Sequence, residues 1–307
     1  MILSVFYSIL ETFFIFAAGA FLFHRRIILP DDLTRLTRLT MDVFFPLLTF
    51  SVITGSFTRE QLHTLWLPPA LGFGMMFTGA IAGIFLRRLM FFKTPERIRT
   101  FHHICAINNY VFLPIIVLLN IAGEKHVALL LVMNVGSTIG FWTIGVITLR
   151  GKCGTLLETL RSVWSVNLAA VLIALIFCWF NIPVFAPAAK SIRALGDMGV
   201  PFTLLLVGAA LYRYRDCLFK HIPDMVLLSV IRLLLLPLLL GSIIMLLPLE
   251  PDLALVTVVV ASMPAASSSA LVSQVLGGDG SFAGQAVIFT TFLSLATIPL
   301  ILKIFCF

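Results

Sequence analysis

The 307-residue chain is predicted to be an all-α polytopic membrane protein of ten helical spans, arranged as two inverted halves of five. Three observations predict this. The composition is 60% apolar and 11% charged, with a mean hydropathy of +1.09, far too little charge for a water-facing surface. Apolar stretches of about 20 residues recur along the chain, each long enough to cross roughly 30 Å of hydrocarbon as a helix. Prolines and polar residues interrupt these stretches at matching places in the two halves, which is the mark of a carrier's binding site.

In chain order the expected spans are 4–23, 36–55, 64–86, 101–121, 127–149, 159–180, 191–211, 225–247, 253–275 and 283–304. A β-barrel would show shorter, alternating segments instead. The first span is not read as a cleavable signal, because Met1 to Leu10 has no basic region and Glu11 interrupts the apolar run. The connections are short loops, so the function is expected within the membrane.

Ten spans put both termini on one side, and the basic residues say which. With the termini outside, 16 of the 21 Lys and Arg residues fall on the inner side, among them Arg25, Arg26, Arg87, Arg88, Lys93, Arg97, Arg150, Lys152, Arg161, Arg213, Arg215, Lys220 and Arg232. Only Arg59, Lys125, Lys190, Arg193 and Lys303 fall outside. The positive-inside rule therefore predicts extracytoplasmic termini in a plasma membrane, as in the inner membrane of a bacterium. Most of the net charge of +7 is then topology and contact with anionic lipid, not a nucleic-acid surface. The densest basic stretch, Arg87 to Lys93, is short and lies between two spans.

Five cysteines (Cys105, Cys153, Cys178, Cys217 and Cys306) are odd in number and widely spaced, so neither a disulfide framework nor a zinc site is expected. His102 and His103 are adjacent and point about 100° apart on a helix, which does not chelate. No cofactor or metal is expected.

Five spans per half is an odd number, so the second half, 153–307, is expected upside-down relative to the first, 1–152. Asp42-x-x-x-Pro46 in span 2 recurs as Asp197-x-x-x-Pro201 in span 7, 155 residues on. Pro114 in span 4 and Pro264 in span 9 are 150 residues apart. A proline deep in a span removes a backbone donor and frees a carbonyl one turn back, and only protein or a water-filled cavity satisfies such groups at that depth. Each break also exposes the positive, N–H-rich end of a half-helix, which attracts an anion. Pro114 and Pro264 suit the first position of the second half-helix. Ser267, Ser268 and Ser269 then add hydroxyls one turn on, and Asn108 and Asn109 add amides just before the first break. Close helix packing by the Ser and Ala run is the alternative.

Asp42 and Asp197, both within spans, are the acidic candidates for proton coupling or for contact between a fixed and a moving body. A local bond to the kinked backbone is the alternative. Glu11 is expected at the interface. Arg232, two turns into span 8, is expected to snorkel to the headgroups rather than to attract an anionic substrate. Asn134, Gln274, Gln285, Thr290 and Thr291 are expected to form interhelical hydrogen bonds.

Met263-Pro264-Ala265-Ala266-Ser267-Ser268-Ser269, Gln274, Gly277-Gly278-Asp279, Ala286-Val287 to Thr291 and Ile298-Pro299 resemble the closing pattern of the auxin efflux carrier family. That family includes the plant PIN auxin exporters and bacterial malate- and malonate-type permeases. Leu195-Gly196 to Pro201 with Leu206 to Leu211 is similar to its seventh span, and Phe44-Phe45-Pro46-Leu47-Leu48 to its second. The resemblance implies a fold like that of bile-acid symporters, in which helices 4 and 9 cross at their breaks beside the substrate. It implies a scaffold of helices 1, 2, 6 and 7, and a transport domain of helices 3–5 and 8–10 that moves as an elevator. Two departures stand out. Bulky residues fill Asn108 to Pro114 where relatives carry glycines, and Asn167 precedes Leu168 where an Asn-Pro pair is frequent, which makes Asn167 a secondary candidate.

The expected function is secondary transport of a small organic anion, a dicarboxylate or an auxin-like acid, with proton and sodium coupling both open. Pairing of two copies through the scaffold is a further expectation. No phosphate-binding Gly-x-x-x-x-Gly-Lys-Ser/Thr occurs, so no ATPase is built in. The serine of Gly136-Ser137-Thr138-Ile139-Gly140 is in the wrong place for a nucleophile elbow, and paired catalytic aspartates and His-Glu-x-x-His are absent, which argues against an enzyme. A sensor built on a carrier fold, binding an organic acid without net transport, is the alternative.

Overall fold

A computed structural model describes residues 2–151, 164–212 and 221–306. Lys152, Arg161, Arg213, Arg215 and Lys220 of the basic set, Cys153 and Cys217, and the first residues of the sixth expected span (159–163) lie outside the described residues.

The described chain forms helices throughout: α1 (Ile2–His24), α2 (Pro30–Ser56), α3 (Leu67–Leu86), α4 (Pro95–Ala106), α5 (Phe112–Ile121), α6 (Glu124–Arg150), α7 (Val166–Trp179), α8 (Ala186–Tyr212), α9 (Ile222–Leu246), α10 (Pro251–Ala261), α11 (Ser269–Val275) and α12 (Gly280–Phe305). Six helices are long and apolar enough to cross a membrane: α2, α3 with its flanking turns, α6, α8, α9 and α12. Four more apolar helices are shorter, in α1, α5, α7 and α10.

Local chemistry sets the helix starts. Proline stands at or next to the first position of α2, α4, α8, α9 and α10, where its missing N–H has no partner to lose. Thr94, Ser165 and Asp279 cap α4, α7 and α12 by accepting the amides of Arg97, Leu168 and Phe282. Three helices carry a π-helical stretch, at Thr40–Phe44, Phe141–Gly145 and Ile231–Leu235. One extra residue per turn re-aims the side chains there, and two of the stretches contain the charged residues Asp42 and Arg232.

Within the bundle α1 lies along α8 and packs on α5 and α12, and α2 packs against α6, α7 and α8; α3 packs on α4 and α6, α9 on α10 and α12, and α11 on α12. The α1–α8 crossing is close because it runs through glycines: a Cβ on Gly19 would collide with the carbonyl of Leu205, and one on Gly208 with that of Phe16. Small residues let backbones meet where lipid gives no hydrophobic drive to helix association. The clash is with backbone, which cannot rotate away. Gly208→Val is therefore expected to destabilise the protein towards the upper end of about 1–3 kcal/mol, read as an earlier thermal transition in detergent. Gly74→Val, where a Cβ meets nothing within 4 Å, should leave the transition in place.

Candidate functional site

Two interrupted helical segments meet in the buried interior of the bundle. The chain leaves α4 at Ile107 and re-enters a helix at Phe112; it leaves α10 at Ser262 and re-enters at Ser269. Between these points the extended strands pair: Asn108 and Ala265 form an antiparallel bridge, and the Asn109 amide donates to the Pro264 carbonyl at 2.8 Å. Each break thus supplies part of what the other lost. The Asn108 side-chain amide donates to the Val260 carbonyl at the end of α10, and the Ala265 amide donates to Thr290 Oγ1 at 3.1 Å.

The prolines do not stand where the sequence reading put them. Pro114 is the third residue of α5 and Pro264 lies in the unwound strand, so neither is the first residue of a second half-helix. The offset of 155 residues set by Asp42 and Asp197 also relates α4 to α10, and it pairs Pro264 with Asn109 and Pro114 with Ser269. The two prolines share a neighbourhood but not a register, which is why their own offset is 150.

Arg232 is the largest departure. Its side chain points inward, 2% exposed, and donates through Nε to the Met263 carbonyl (3.1 Å), through Nη1 to that of Cys105 (3.2 Å) and through Nη2 to that of Ala261 (3.0 Å). Snorkelling is therefore wrong, and so is direct capture of a substrate. The guanidinium sits against the C-terminal ends of both α4 and α10. Carbonyls there have no helical partner, and the helix dipoles concentrate negative charge. No ion pair among the described residues involves Arg232. Backbone oxygens alone balance its charge.

The serines differ in their surroundings. Ser269 opens α11 and is fully buried, with its hydroxyl unbonded; Ser267 is half-buried and Ser268 exposed. Asn109 is 7% exposed. Its Oδ1 accepts the Phe112 amide at 3.2 Å, just before α5, while its Nδ2 reaches Ser267 Oγ at only 3.5 Å. That contact is at the limit of a hydrogen bond, so both groups retain capacity for a ligand. Because α11 has only seven residues, side-chain hydroxyls and amides supply more of the local polarity than its dipole does.

Ser267 and Ser268 open into a cavity of about 250 Å³, lined also by Thr34, Thr37, Thr40 and Met41 of α2, Phe112 of α5, Thr203, Leu206 and Val207 of α8, and Gly284 of α12. A second cavity, of about 430 Å³, is lined by Glu11 and Thr12 of α1, Leu48 and Val52 of α2, Ile115, Ile116 and Asn120 of α5, Glu124 of α6, and Arg193 and Asp197 of α8. Thr203, Val207, Ala270 and Leu271 in the first cavity stand 155 residues after Leu48, Val52, Ile115 and Ile116 in the second. The two cavities thus correspond at four lining positions and differ at the rest.

Asp42 and Asp197 are not at the crossing. Each pairs with the arginine four residues before it, Arg38–Asp42 at 3.2 Å and Arg193–Asp197 at 2.8 Å, and each side chain is about half exposed. The repeated unit is thus Arg-x-x-x-Asp-x-x-x-Pro, and its arginine is legible in the sequence once the spacing is extended by one turn. Asn167 accepts the Thr49 hydroxyl at 2.7 Å and joins α2 to α7, away from the crossing. Gln274 is exposed on α11, beyond the serines. Gln285 and Asn134 are buried with an unbonded side-chain oxygen each, whereas Thr290 is drawn into the crossing.

A bundle of apolar helices with a buried, unwound crossing that opens into a cavity has the build of a multi-pass membrane carrier. A family description of membrane transport proteins matches residues 4–159 and again residues 155–302. The chain belongs to this family, that of the auxin efflux carriers, and carries its pattern twice. No curated individual protein matches it.

Proposed function

We propose that the protein is a secondary transporter of a small organic anion that binds where Asn109 and Ser267 meet. Ten spans in two inverted repeats, 1–152 and 153–307, would form a scaffold from α1, α2, α7 and α8 and a moving body from α3–α6 and α9–α12. Both termini would be extracytoplasmic in the plasma membrane. The observation that carries this reading is the buried, unwound crossing at which Asn109 meets Ser267 beside a cavity. A second cavity, lined at four repeat-equivalent positions, suits the alternating access of an inverted repeat. The close packing of α1 on α8 and of α2 on α7 and α8 supports a scaffold against which the remaining helices move in an elevator-like manner.

The lining of the first cavity favours a particular chemistry. Threonine and serine hydroxyls sit beside Leu33, Phe112, Leu206 and Leu211, and no charged side chain lines it among the described residues. Neutral donors with an apolar wall suit one carboxylate on an apolar body better than a dicarboxylate, whose second charge would be left unpaired.

The test is counterflow of labelled organic acids in proteoliposomes, over a panel from aromatic and aliphatic monocarboxylates to dicarboxylates, with pH and sodium gradients imposed separately. Exchange of label with at least one monocarboxylate is expected. Binding without exchange across the whole panel would favour a sensor and refute the carrier reading.

A further inference from the structure

The two repeats differ in their ion pairs. Arg193 does more than hold Asp197: its Nη1 and Nη2 fork onto Glu124 Oε2 (3.0 Å) and Oε1 (2.6 Å), tying α8 to the first residue of α6. A bidentate fork is the strongest geometry such a pair adopts. In the other repeat the residue matching Arg193 is Arg38, and the residue 155 after Glu124 is Asp279, the cap of α12. That image pair is not made. The Arg38 side chain is 84% exposed and bonded to Asp42, while Asp279 is held by Arg97 at 3.0 Å.

A second set of bridges shows that the repeat is otherwise intact at these ends. Lys125–Asp252 (2.6 Å) ties the start of α6 to the start of α10, and Arg97–Asp279 ties the start of α4 to the start of α12. Asp252 stands 155 residues after Arg97, and Asp279 stands 154 after Lys125, so the two bridges are images with their charges exchanged. Both lie within the proposed moving body of α3–α6 and α9–α12, and both are made. Among the described residues, Glu124–Arg193 is the one ion pair that joins this body to the proposed scaffold, and it is formed at one end only.

We propose that Glu124–Arg193 and Arg38–Asp279 are the two latches of the transport cycle, closed in turn at opposite ends of the bundle. The structure is the state latched at the α8 end. In the opposite state Glu124 leaves Arg193, and Asp279 passes from Arg97 to Arg38. This rests on the two-body carrier reading above, because inverted repeats that exchange conformations require each interbody contact to have an image. The groups that face Asp279 from the packed elements are Arg97 on α4 and, beside it, His221 at the start of α9, whose Nδ1 lies 3.4 Å from Arg97 Nη1. Asp279 is thus a carboxylate that already has a cation to exchange.

The test reads each latch at the far cavity, so that local effects of the substitution do not count. Thr37→Cys reports the cavity beside α2 and Asn120→Cys the cavity beside Glu124. Labelling by N-ethylmaleimide in membranes is followed peptide by peptide by mass spectrometry, with the native cysteines retained. Glu124→Gln removes the latch seen here and is expected to slow labelling at Thr37→Cys. Arg38→Gln removes the latch of the opposite state and is expected to slow labelling at Asn120→Cys. Each change should be roughly two- to fivefold, the range an exposed ion pair sustains, and should shrink at high salt. Arg38→Glu, which repels Asp279, should exceed Arg38→Gln. An unchanged rate at Asn120→Cys in both Arg38 variants overturns the proposal. The readout needs no substrate, so the two failures are distinguishable: binding without exchange in counterflow tells against transport, whereas unchanged labelling in the Arg38 variants tells against the latches alone.

Discussion

Arg232→Ala is expected to lower the stability of the protein by about 3–5 kcal/mol and to abolish transport. The guanidinium makes three charge-assisted bonds, each worth about 1.5–3 kcal/mol, and water entering the vacated space returns part of that sum. The carbonyls of Cys105, Ala261 and Met263 would otherwise be left without donors at the buried ends of two helices. Arg232→Lys should retain only part of the effect, because an ammonium is a point charge and cannot span three acceptors as the planar fork does. Thermal unfolding in detergent measures the loss. Millimolar guanidinium or methylguanidinium should recover some stability in Arg232→Ala and do nothing for the wild type. An alanine variant as stable as the wild type would mean that the two half-helix ends do not depend on this cation.

The helical membrane class and the neighbourhood of the crossing are legible in the residues, and particular side chains are not, for physical reasons. The run from Met263 to Ser269 and the Asn108-Asn109 pair are polar where lipid tolerates little polarity, so their position was visible in composition alone. Their pairing was not: a two-residue bridge between Asn108 and Ala265 leaves no periodic pattern. The prolines suggest a register of 150 because proline is conspicuous, whereas the acid–proline pairs keep 155 and the matched helix starts fall 155 to 157 apart. Arg232 was misread because an arginine two turns inside a span can reach either outward to the headgroups or inward to a partner. Sequence gives the depth of such a residue but not its direction. The π-helical stretch at Ile231–Leu235 is part of what turns it inward, and nothing in a run of leucines announces one. The latch residues were hidden differently. Glu124, Arg193, Arg38 and Asp279 are ordinary charges at helix ends, and they acquire meaning only when one bridge is seen made and its image unmade.

The second large effect is expected at the meeting of Asn109 and Ser267. Asn109→Ala removes the acceptor of the Phe112 amide, worth about 0.5–1.5 kcal/mol, together with one donor to the ligand. Ser267→Ala removes a hydroxyl that faces the cavity beside α2. A hydrogen bond to a charged ligand contributes about 1.5–3 kcal/mol, so each substitution should raise the KM for the transported acid roughly tenfold or more. Ser267→Ala should do so without lowering the thermal transition, because its Oγ has only the long 3.5 Å contact with Asn109 to lose. The two side chains address one ligand group, and the double variant should therefore fall short of the product of the singles. Asn108→Ala should behave in the opposite way. Its amide is committed to the Val260 carbonyl, so its loss should appear in stability first and in KM little. Initial rates of uptake against concentration, set beside thermal transitions for the same four proteins, separate these outcomes. Unchanged KM in both Asn109→Ala and Ser267→Ala would move the binding site away from the crossing.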